Sequence, residues 1–169
     1  MIVLDGNYFW TRELFGNCHS ELDVLLLMPR DYRAMKAQEG RYRFDREQPD
    51  PQKNIWYQYC PMPPGWLFGY PALAFRFLKH QIRDFIKAHE RIIFVSCYPH
   101  YLGFEKPGWK TVYYSIDEYS TYWPDKADLT RIREIESIKS ADLNICVSDR
   151  RAQDFRAIRP DESTIHLPH

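Results

Sequence analysis

Short apolar runs alternate with amphipathic stretches along this 169-residue chain. Several of the runs are continuous, which is typical of strands that are buried on both faces. The predicted strands cover residues 2–4, 23–28, 54–59, 91–96, 110–116, 143–147 and 163–167. Helical periodicity fills most of the intervals between them, with no repeat of fixed period. This order predicts an α/β fold, namely a Rossmann-like three-layer domain with a mainly parallel sheet.

Four stretches predict the helices. The first covers residues 8–17, and the second begins near Pro71 and ends near His89. The apolar positions of the second are Leu73, Phe77, Leu78, Ile82, Phe85 and Ile86. Asp125 is expected to cap the third helix. Its apolar residues recur every three positions, at Leu129, Ile132, Ile135 and Ile138. A short fourth helix begins at Ser148.

Proline and polar residues interrupt the pattern in the first half of the chain. Pro29 is expected to end the second strand, and residues 60–65 (CPMPPG) are expected to form a loop. The reason in both cases is that proline lacks an amide donor and fixes one backbone angle. Residues 30–53 are polar and irregular, which predicts an excursion or a mobile loop.

The charge balance excludes a strong overall field. The chain carries 23 Lys and Arg against 23 Asp and Glu, so we expect no nucleic-acid partner. A local basic stretch runs from Arg30 to Arg46. This stretch could contact a phosphorylated lipid acceptor or a membrane surface, because both carry negative charge. The acidic residues within it favour the alternative, a solvated loop.

Cysteine usage and hydropathy point to the cytoplasm. The four cysteines, Cys18, Cys60, Cys97 and Cys146, are widely separated, which favours reduced core thiols over a disulfide framework. No stretch approaches the roughly 18 apolar residues of a membrane span, and the N-terminus lacks the basic start of a signal peptide. We expect a cytoplasmic protein. The basic stretch would also allow peripheral contact with the inner face of the membrane.

Common cofactor motifs are absent from the sequence. Residues 5–10 (DGNYFW) follow the first strand and supply one glycine where a dinucleotide fingerprint has three. Neither a P-loop nor a G-x-S-x-G nucleophile motif occurs, and the six histidines lack metal-ligand spacing. The sequence therefore predicts no cofactor and no metal.

Three segments in the second half carry a family resemblance through their order and spacing. They are VYYSIDEY at residues 112–119, SADLNICVS at 140–148 and HLPH at 166–169. They resemble the strand ends, the A-D-x-x-x-x-x-S segment and the closing L-P-N-G-V-D of the N-terminal, acceptor-side domain of GT-B glycosyltransferases, family-four-like (glycosyltransferase group 1 type). Two residues depart from the pattern, because Ser115 stands where an acidic residue is common and His169 replaces asparagine.

The resemblance implies the N-terminal half of an enzyme built from two Rossmann-like domains. In such enzymes the first domain holds mainly the acceptor and the second mainly the nucleotide-sugar. Residues 1–169 are then the first domain, with an interdomain linker at residues 167–169. The implied activity is nucleotide-sugar-dependent transfer to a carbohydrate or lipid-linked acceptor in glycan or surface polysaccharide synthesis. Residues 1–169 alone should be inactive.

Position beyond the carboxyl ends of parallel strands nominates the site residues. Asp117 is the candidate catalytic residue, which would bond an acceptor hydroxyl or steady developing charge. Glu118 is a candidate for acceptor binding. The alternatives are an ordinary turn carboxylate for Asp117 and a solvated side chain for Glu118.

Other strand ends supply further candidates. Gly6 and Asn7 could let the backbone approach a donor phosphate, or form a plain tight turn. Tyr98 and His100 could form an aromatic wall for an acceptor sugar, or pack on neighbouring residues of their own loop. Ser148 is expected to cap a helix near the cleft.

A rival hypothesis belongs to another class of protein. The chain could be a free-standing Rossmann-like binding or assembly domain without catalysis. Its aromatic surface and its helix at residues 71–89 would then pair with another chain, most simply in a homodimer.

Overall fold

The computed structural model describes residues 1–4, 13–16 and 21–168. The predicted phosphate loop at Gly6 and Asn7 lies outside the described residues, as do Cys18, His169 and most of the predicted first helix. The chain divides into two compact units, Met1–Ile92 and Ile93–His169.

The first unit contains four strands in the order β3-β4-β2-β1. They are β1 (Ile2–Leu4), β2 (Val24–Asp31), β3 (Arg46–Glu47) and β4 (Ile55–Met62). β2 runs parallel to both β1 and β4, and only the short β3 is antiparallel to its neighbour. The apolar run in β2 is buried throughout, which fits the central place of this strand in the unit.

Both prolines that were expected to end regular structure lie inside strands. Pro29 is in register with Cys60, and Pro61 is in register with Arg30. Among residues 1–4 and 21–168, the pairing of β1 with β2 ends at Leu27, and that of β3 with β4 ends at Gln58. Pro61 lies beyond the last residue of β4 that pairs with β3, so its missing amide donor is not needed on that side, and Pro29 likewise follows the last residue of β2 that pairs with the described part of β1. The predicted ends at residues 28 and 59 are wrong for this reason.

Residues 32–39 form a helix, α1 (Tyr32–Glu39), so the prediction of irregular structure is wrong there. The Asp31 side chain accepts a hydrogen bond of 2.7 Å from the Arg33 amide at the start of the helix. Gly40 ends it with φ of 70°, in the left-handed region that glycine occupies without strain. Met35 is the one buried residue of α1, and a helix with a single buried position has little hydrophobic periodicity to detect.

The predicted helix at residues 71–89 is divided in the structure. A short α2 (Trp66–Gly69) precedes α3 (Pro71–Gln81), and α4 (Arg83–Ala88) follows a break at the buried Ile82. Leu73 and Phe77 are exposed, so they do not belong to the core as the spacing predicted.

The second unit contains four strands that are parallel throughout, in the order β5-β6-β7-β8. They are β5 (Ile93–Ser96), β6 (Lys110–Ser115), β7 (Leu143–Cys146) and β8 (Thr164–His166). Helices α5 (Ala127–Ser140) and α6 (Asp149–Ile158) flank the sheet. The hydrophobic core between the helices and the sheet includes Tyr113, Ile138, Ala141, Cys146, Ala152 and Phe155. The predicted mainly parallel α/β arrangement is confirmed.

Helix α5 corrects two predictions. Its N-cap is Lys126 without a side-chain cap, and Asp125 lies in a preceding 3-10 turn, so Asp125 does not cap the helix. Of the four apolar residues at three-residue spacing, only Ile138 is buried, whereas Leu129, Ile132 and Ile135 are exposed. A helix turns by about 100° per residue, so a spacing of three drifts around the helix axis instead of following one face.

The three described cysteines, Cys60, Cys97 and Cys146, are free and buried, as predicted. Burial raises the pKa of Cys60 to about 12 and that of Cys146 to about 11, which keeps both as thiols. Within the described residues, no helix is both long and apolar enough to cross a bilayer.

Candidate functional site

Three adjacent parallel strands of the second unit end at one edge of its sheet. The loops that follow β5, β6 and β7 carry the predicted residues Tyr98, His100, Asp117, Glu118 and Ser148. Ligands of open parallel sheets bind beyond such carboxyl ends. The fold therefore brings these predicted residues to the same edge of the second unit.

An aromatic cluster links the loop after β5 to the loop after β6. Its members are Tyr98, His100, Tyr101, Tyr119, Tyr122 and Trp123. Tyr98 is at the centre, with ring-centre distances of 4.6 Å to Tyr119 and 5.2 Å to Trp123. Tyr98 is buried, whereas Tyr122 and Trp123 are exposed on the outer side of the cluster. The solvent-facing part of this cluster is therefore a pair of aromatic side chains.

The Tyr98 hydroxyl group is unusual because it is buried and has no hydrogen-bond partner in the described part of the chain. Burial raises the pKa of Tyr98 well above its ordinary value, so the phenol keeps its proton. An unsatisfied buried hydroxyl costs about 1–3 kcal/mol. The predicted contact between Tyr98 and an acceptor stays a prediction.

His100 occupies a buried position in the 3-10 turn Pro99–Tyr101. Its Nε2 lies 3.0 Å from Thr130 Oγ1, and Thr130 donates its own proton to the Lys126 carbonyl. His100 is therefore the donor to Thr130. Burial, together with the charge of Arg133, lowers the pKa of His100 to about 4, so the ring is neutral at neutral pH. Its predicted contact with an acceptor is not tested by this geometry.

Asp117 and Glu118 have separate partners. Asp117 is exposed, and its Oδ2 accepts a hydrogen bond from the Tyr122 hydroxyl. That hydrogen bond, with some burial and the charge of Asp117, raises the pKa of Tyr122 to about 12. Glu118 is also exposed, and its carboxylate accepts a bond of 3.3 Å from Ser120. Tyr122 thus orients one carboxylate at the strand end, beside its own exposed ring.

Ser148 is the N-cap of α6, which confirms the predicted cap. Its Oγ accepts a hydrogen bond of 3.3 Å from the Arg151 amide. Four amides at a helix start lack partners within the helix, and a capping serine satisfies one of them.

Replacing Ser148 with alanine is expected to lower the free energy of unfolding by about 1 kcal/mol, because the Arg151 amide loses its acceptor. Urea titration followed by circular dichroism measures the loss. Ser140→Ala is the control, because Ser140 is an exposed serine at the end of α5 and caps no helix start. If Ser148→Ala lowers the free energy of unfolding by only about 0.5 kcal/mol or less, as a neutral surface change does, the assigned cap is contradicted.

A largely buried polar network at the end of β6 was missed by the sequence reasoning. Arg151 Nη2 donates to Ser115 Oγ at 2.7 Å and to Glu134 Oε1. The Tyr113 hydroxyl donates to the same Glu134 oxygen at 2.9 Å. Burial alone would lower the pKa of Arg151, but the Glu134 carboxylate more than offsets this and raises it. We call these four residues the Arg151 network.

The only signal in the sequence for this network was Ser115 itself, which departs from the acidic residue of the family pattern. In the structure the Ser115 hydroxyl accepts from Arg151, and Glu134 of α5 supplies the carboxylate. Arg151 and Glu134 otherwise look like ordinary charged residues on amphipathic helices. Among the described residues, no group of three or more His, Cys, Asp or Glu side chains could hold a metal ion.

Comparisons with known proteins show the fold. No family model matches the chain, and no curated protein matches its sequence. Among solved structures, a sucrose-phosphate synthase from Thermosynechococcus elongatus superposes with a TM-score of 0.62 at 10% sequence identity. The match covers 100% of this chain and 88% of that chain. At this identity the likeness establishes a Rossmann-like α/β fold shared with a domain of a glycosyltransferase.

Proposed function

We propose that the chain acts in glycosyl transfer, as the acceptor-side half of a nucleotide-sugar-dependent glycosyltransferase. The acceptor would be a carbohydrate or a lipid-linked glycan in glycan or surface polysaccharide synthesis. The second half, which would bind the nucleotide-sugar, would be supplied from outside residues 1–169. Support comes from the fold shared with a protein named as a sucrose-phosphate synthase and from the order of motifs at residues 112–169.

The observation that carries the proposal is the oriented carboxylate of Asp117. It lies just beyond the carboxyl end of β6, accepts a hydrogen bond from Tyr122, and is exposed. A carboxylate in this state accepts a proton or a hydrogen bond from a sugar hydroxyl, which makes the hydroxyl oxygen a better nucleophile. The exposed rings of Tyr122 and Trp123 offer flat apolar faces for the sugar.

The transfer itself breaks one bond and forms another. The bond between the anomeric carbon of the donor sugar and the diphosphate oxygen breaks, and a bond between that carbon and the acceptor oxygen forms. The acceptor hydroxyl loses its proton in the same reaction. Asp117 would accept a hydrogen bond from that hydroxyl and then take up its proton as the new glycosidic bond forms. Backbone and cationic groups of the other half would stabilise the departing diphosphate, without a metal or other cofactor in this proposal.

Replacing Asp117 with asparagine is expected to lower kcat by about 10²-fold, because the amide cannot accept the proton of the attacking hydroxyl. The measurement uses the complete reading frame that encodes residues 1–169. Release of nucleoside diphosphate and sugar incorporation are followed with UDP-, GDP- and ADP-hexoses and a glycolipid extract as acceptor source.

The matched control is Asp125→Asn, which removes an exposed carboxylate from the next 3-10 turn. It should leave kcat within about twofold of the unsubstituted protein, as is usual for surface changes. Full turnover by Asp117→Asn would refute the assigned role of Asp117. Turnover by residues 1–169 alone would refute the division into two halves, and absence of transfer with every donor would refute glycosyl transfer.

A further inference from the structure

The first unit contains an apolar groove that the proposed function does not use. It has a volume of about 560 Å³ and opens at the carboxyl ends of β2 and β4. The end of β4 and the start of α2 form one wall, α3 a second, and α1 with the segment after it a third. The rings that line it are Tyr32, Tyr42, Phe44, Trp66, Tyr70 and Phe77. This volume is in the range of small-molecule sites, about 300–1,000 Å³.

The lining of the groove is exposed to an unusual degree for apolar side chains. Leu73 is 67% exposed, Tyr70 62% and Phe44 59%, and all three face the same concavity. Exposed apolar residues are common when they are scattered singly. A contiguous concave set of them marks a surface that binds a ligand or a partner. The groove therefore calls for an occupant with an apolar body.

Two cations at the edge of the groove specify a further property of that occupant. The Arg33 guanidinium lies 5.8 Å from the centre of the Tyr32 ring, and Lys36 Nζ lies 5.6 Å from that of Tyr42. Both side chains are exposed, and in the described part of the chain neither lies within ion-pair distance of a carboxylate.

Neighbouring arginines behave differently. Arg30 lies 3.6 Å from Glu39, and Arg43 binds Asp45 at 2.6 Å and Glu47 at 2.8 Å. Glu39, Asp45 and Glu47 are thus paired with Arg30 and Arg43, while the Asp31 carboxylate accepts a hydrogen bond from the backbone amide of Arg33 at the start of α1. The positive charge of Arg33 and Lys36 is left beside the aromatic walls, where it complements an anionic group.

We propose that this groove binds an amphiphile with an apolar chain and an anionic headgroup. The chain lies against the rings and Leu73, and the headgroup meets Arg33 and Lys36. A neutral sugar would leave the two cations without a role, and a free anion would leave the apolar walls exposed. That this amphiphile is the anchor of a lipid-linked acceptor rests on the proposed function, whereas its binding does not.

The test measures binding of n-dodecyl phosphate by isothermal titration calorimetry, below the micelle concentration, to the 169-residue chain. n-Dodecyl maltoside provides the same chain with a neutral head, and inorganic phosphate provides the head without a chain. We expect dodecyl phosphate to bind at least about tenfold more tightly than either, because only it satisfies both the walls and the cations.

Leu73→Asp places a charge on the wall of the groove and should weaken dodecyl phosphate binding at least about tenfold. Leu73 is the third residue of α3, where an acidic side chain suits the helix start. Leu129→Asp is the matched control, because Leu129 is an exposed leucine at the third position of α5. It should bind like the unsubstituted chain. Circular dichroism spectra of both variants, compared with that of the unsubstituted chain, test whether they fold.

The double variant Arg33→Gln with Lys36→Gln should weaken dodecyl phosphate about tenfold and leave dodecyl maltoside unchanged. Equal binding of the two detergents to the unsubstituted chain would overturn the anionic headgroup. Unchanged binding by Leu73→Asp would overturn the groove as the site. Sedimentation showing a dimer that Leu73→Asp dissociates would assign the groove to a second copy of the chain instead.

These outcomes are separate from those of the transfer assay. Binding of dodecyl phosphate needs neither a donor sugar nor Asp117. The groove proposal can therefore be correct even if the chain takes no part in glycosyl transfer. Conversely, transfer to an acceptor can hold if the groove binds no amphiphile. If both hold, Leu73→Asp in the complete reading frame should raise KM for the lipid-linked acceptor and leave kcat unchanged.

Discussion

Replacing Arg151 with methionine is expected to lower the free energy of unfolding by about 3 kcal/mol, because it leaves the largely buried Glu134 carboxylate without a countercharge. The two side chains are only 17% and 13% exposed in the folded protein. Methionine fills a similar volume, so the loss reports the missing charge and donors more than a cavity. Urea titration at pH 7 measures the change.

The neighbouring Arg150 provides the control, since it is exposed on the same helix. Arg150→Met should change stability by less than about 0.5 kcal/mol. The double variant Arg151→Met with Glu134→Leu should recover much of the loss, because an apolar pair replaces the ion pair without leaving a buried charge. A cost for Arg151→Met below about 1 kcal/mol would mean that the network contributes little to the stability of this edge.

The second large effect is a loss of stability in mild acid caused by His100. Its pKa in the folded chain is about 4, below the value of 6.5 that an unburied histidine has. As pH falls, the unfolded chain binds this proton first, so its contribution to stability is complete above about pH 6.5 and is lost toward pH 4. Between pH 7 and pH 5 the loss is about 2 kcal/mol.

The variant His100→Gln isolates this contribution. It should be less stable than the unsubstituted chain at pH 7, and the difference should shrink by about 2 kcal/mol at pH 5. Urea titrations at both pH values measure it, with the exposed His80→Gln as control. Parallel pH dependence in the His100→Gln and unsubstituted chains would contradict a buried neutral ring. The same result would also remove the physical reason for treating His100 as part of the core of the aromatic cluster.

Both stability tests concern residues that support the proposed site. The Arg151 network includes Ser115, which lies two residues before Asp117, and His100 contacts Tyr98 at the centre of the aromatic cluster that includes Tyr122. Neither needs to touch a substrate to affect the site, because loss of either would loosen the strand ends that orient the Asp117 carboxylate. A fall in activity caused by Arg151→Met should therefore be accompanied by a fall in stability, whereas Asp117→Asn should lower kcat without one.

Features set by local sequence were predicted well. Continuous apolar runs predicted β1 and β2, because a strand that is buried on both faces has little tolerance for polar residues. Stretches rich in β-branched and aromatic residues predicted β5 and β6. Alternation with helices predicted the mainly parallel arrangement, since parallel strands need a long crossover between them. The Ser148 cap was predicted because its hydroxyl and the amide that it satisfies are three residues apart.

Features set by neighbours that are distant along the chain were missed. Pro29 and Pro61 looked like strand ends, and only the extent of pairing by β1 and β3 shows why they are tolerated. The exposure of Leu129, Ile132 and Ile135 depends on which face of α5 meets the sheet, and spacing alone does not determine that face.

The chain by itself therefore determined the fold class, the described strands other than β3, and the strand-end positions of Asp117, Tyr98 and His100. Tertiary structure decided which of these are buried, that Tyr122 holds Asp117, and that Arg151 meets Ser115 and Glu134 from 36 and 17 residues away. It also assembled the apolar groove from three segments of the first unit. The physical reason is the separation along the chain over which each interaction acts. Backbone preferences act over a few residues, whereas burial and charge pairing depend on which distant residues the sheet order brings together.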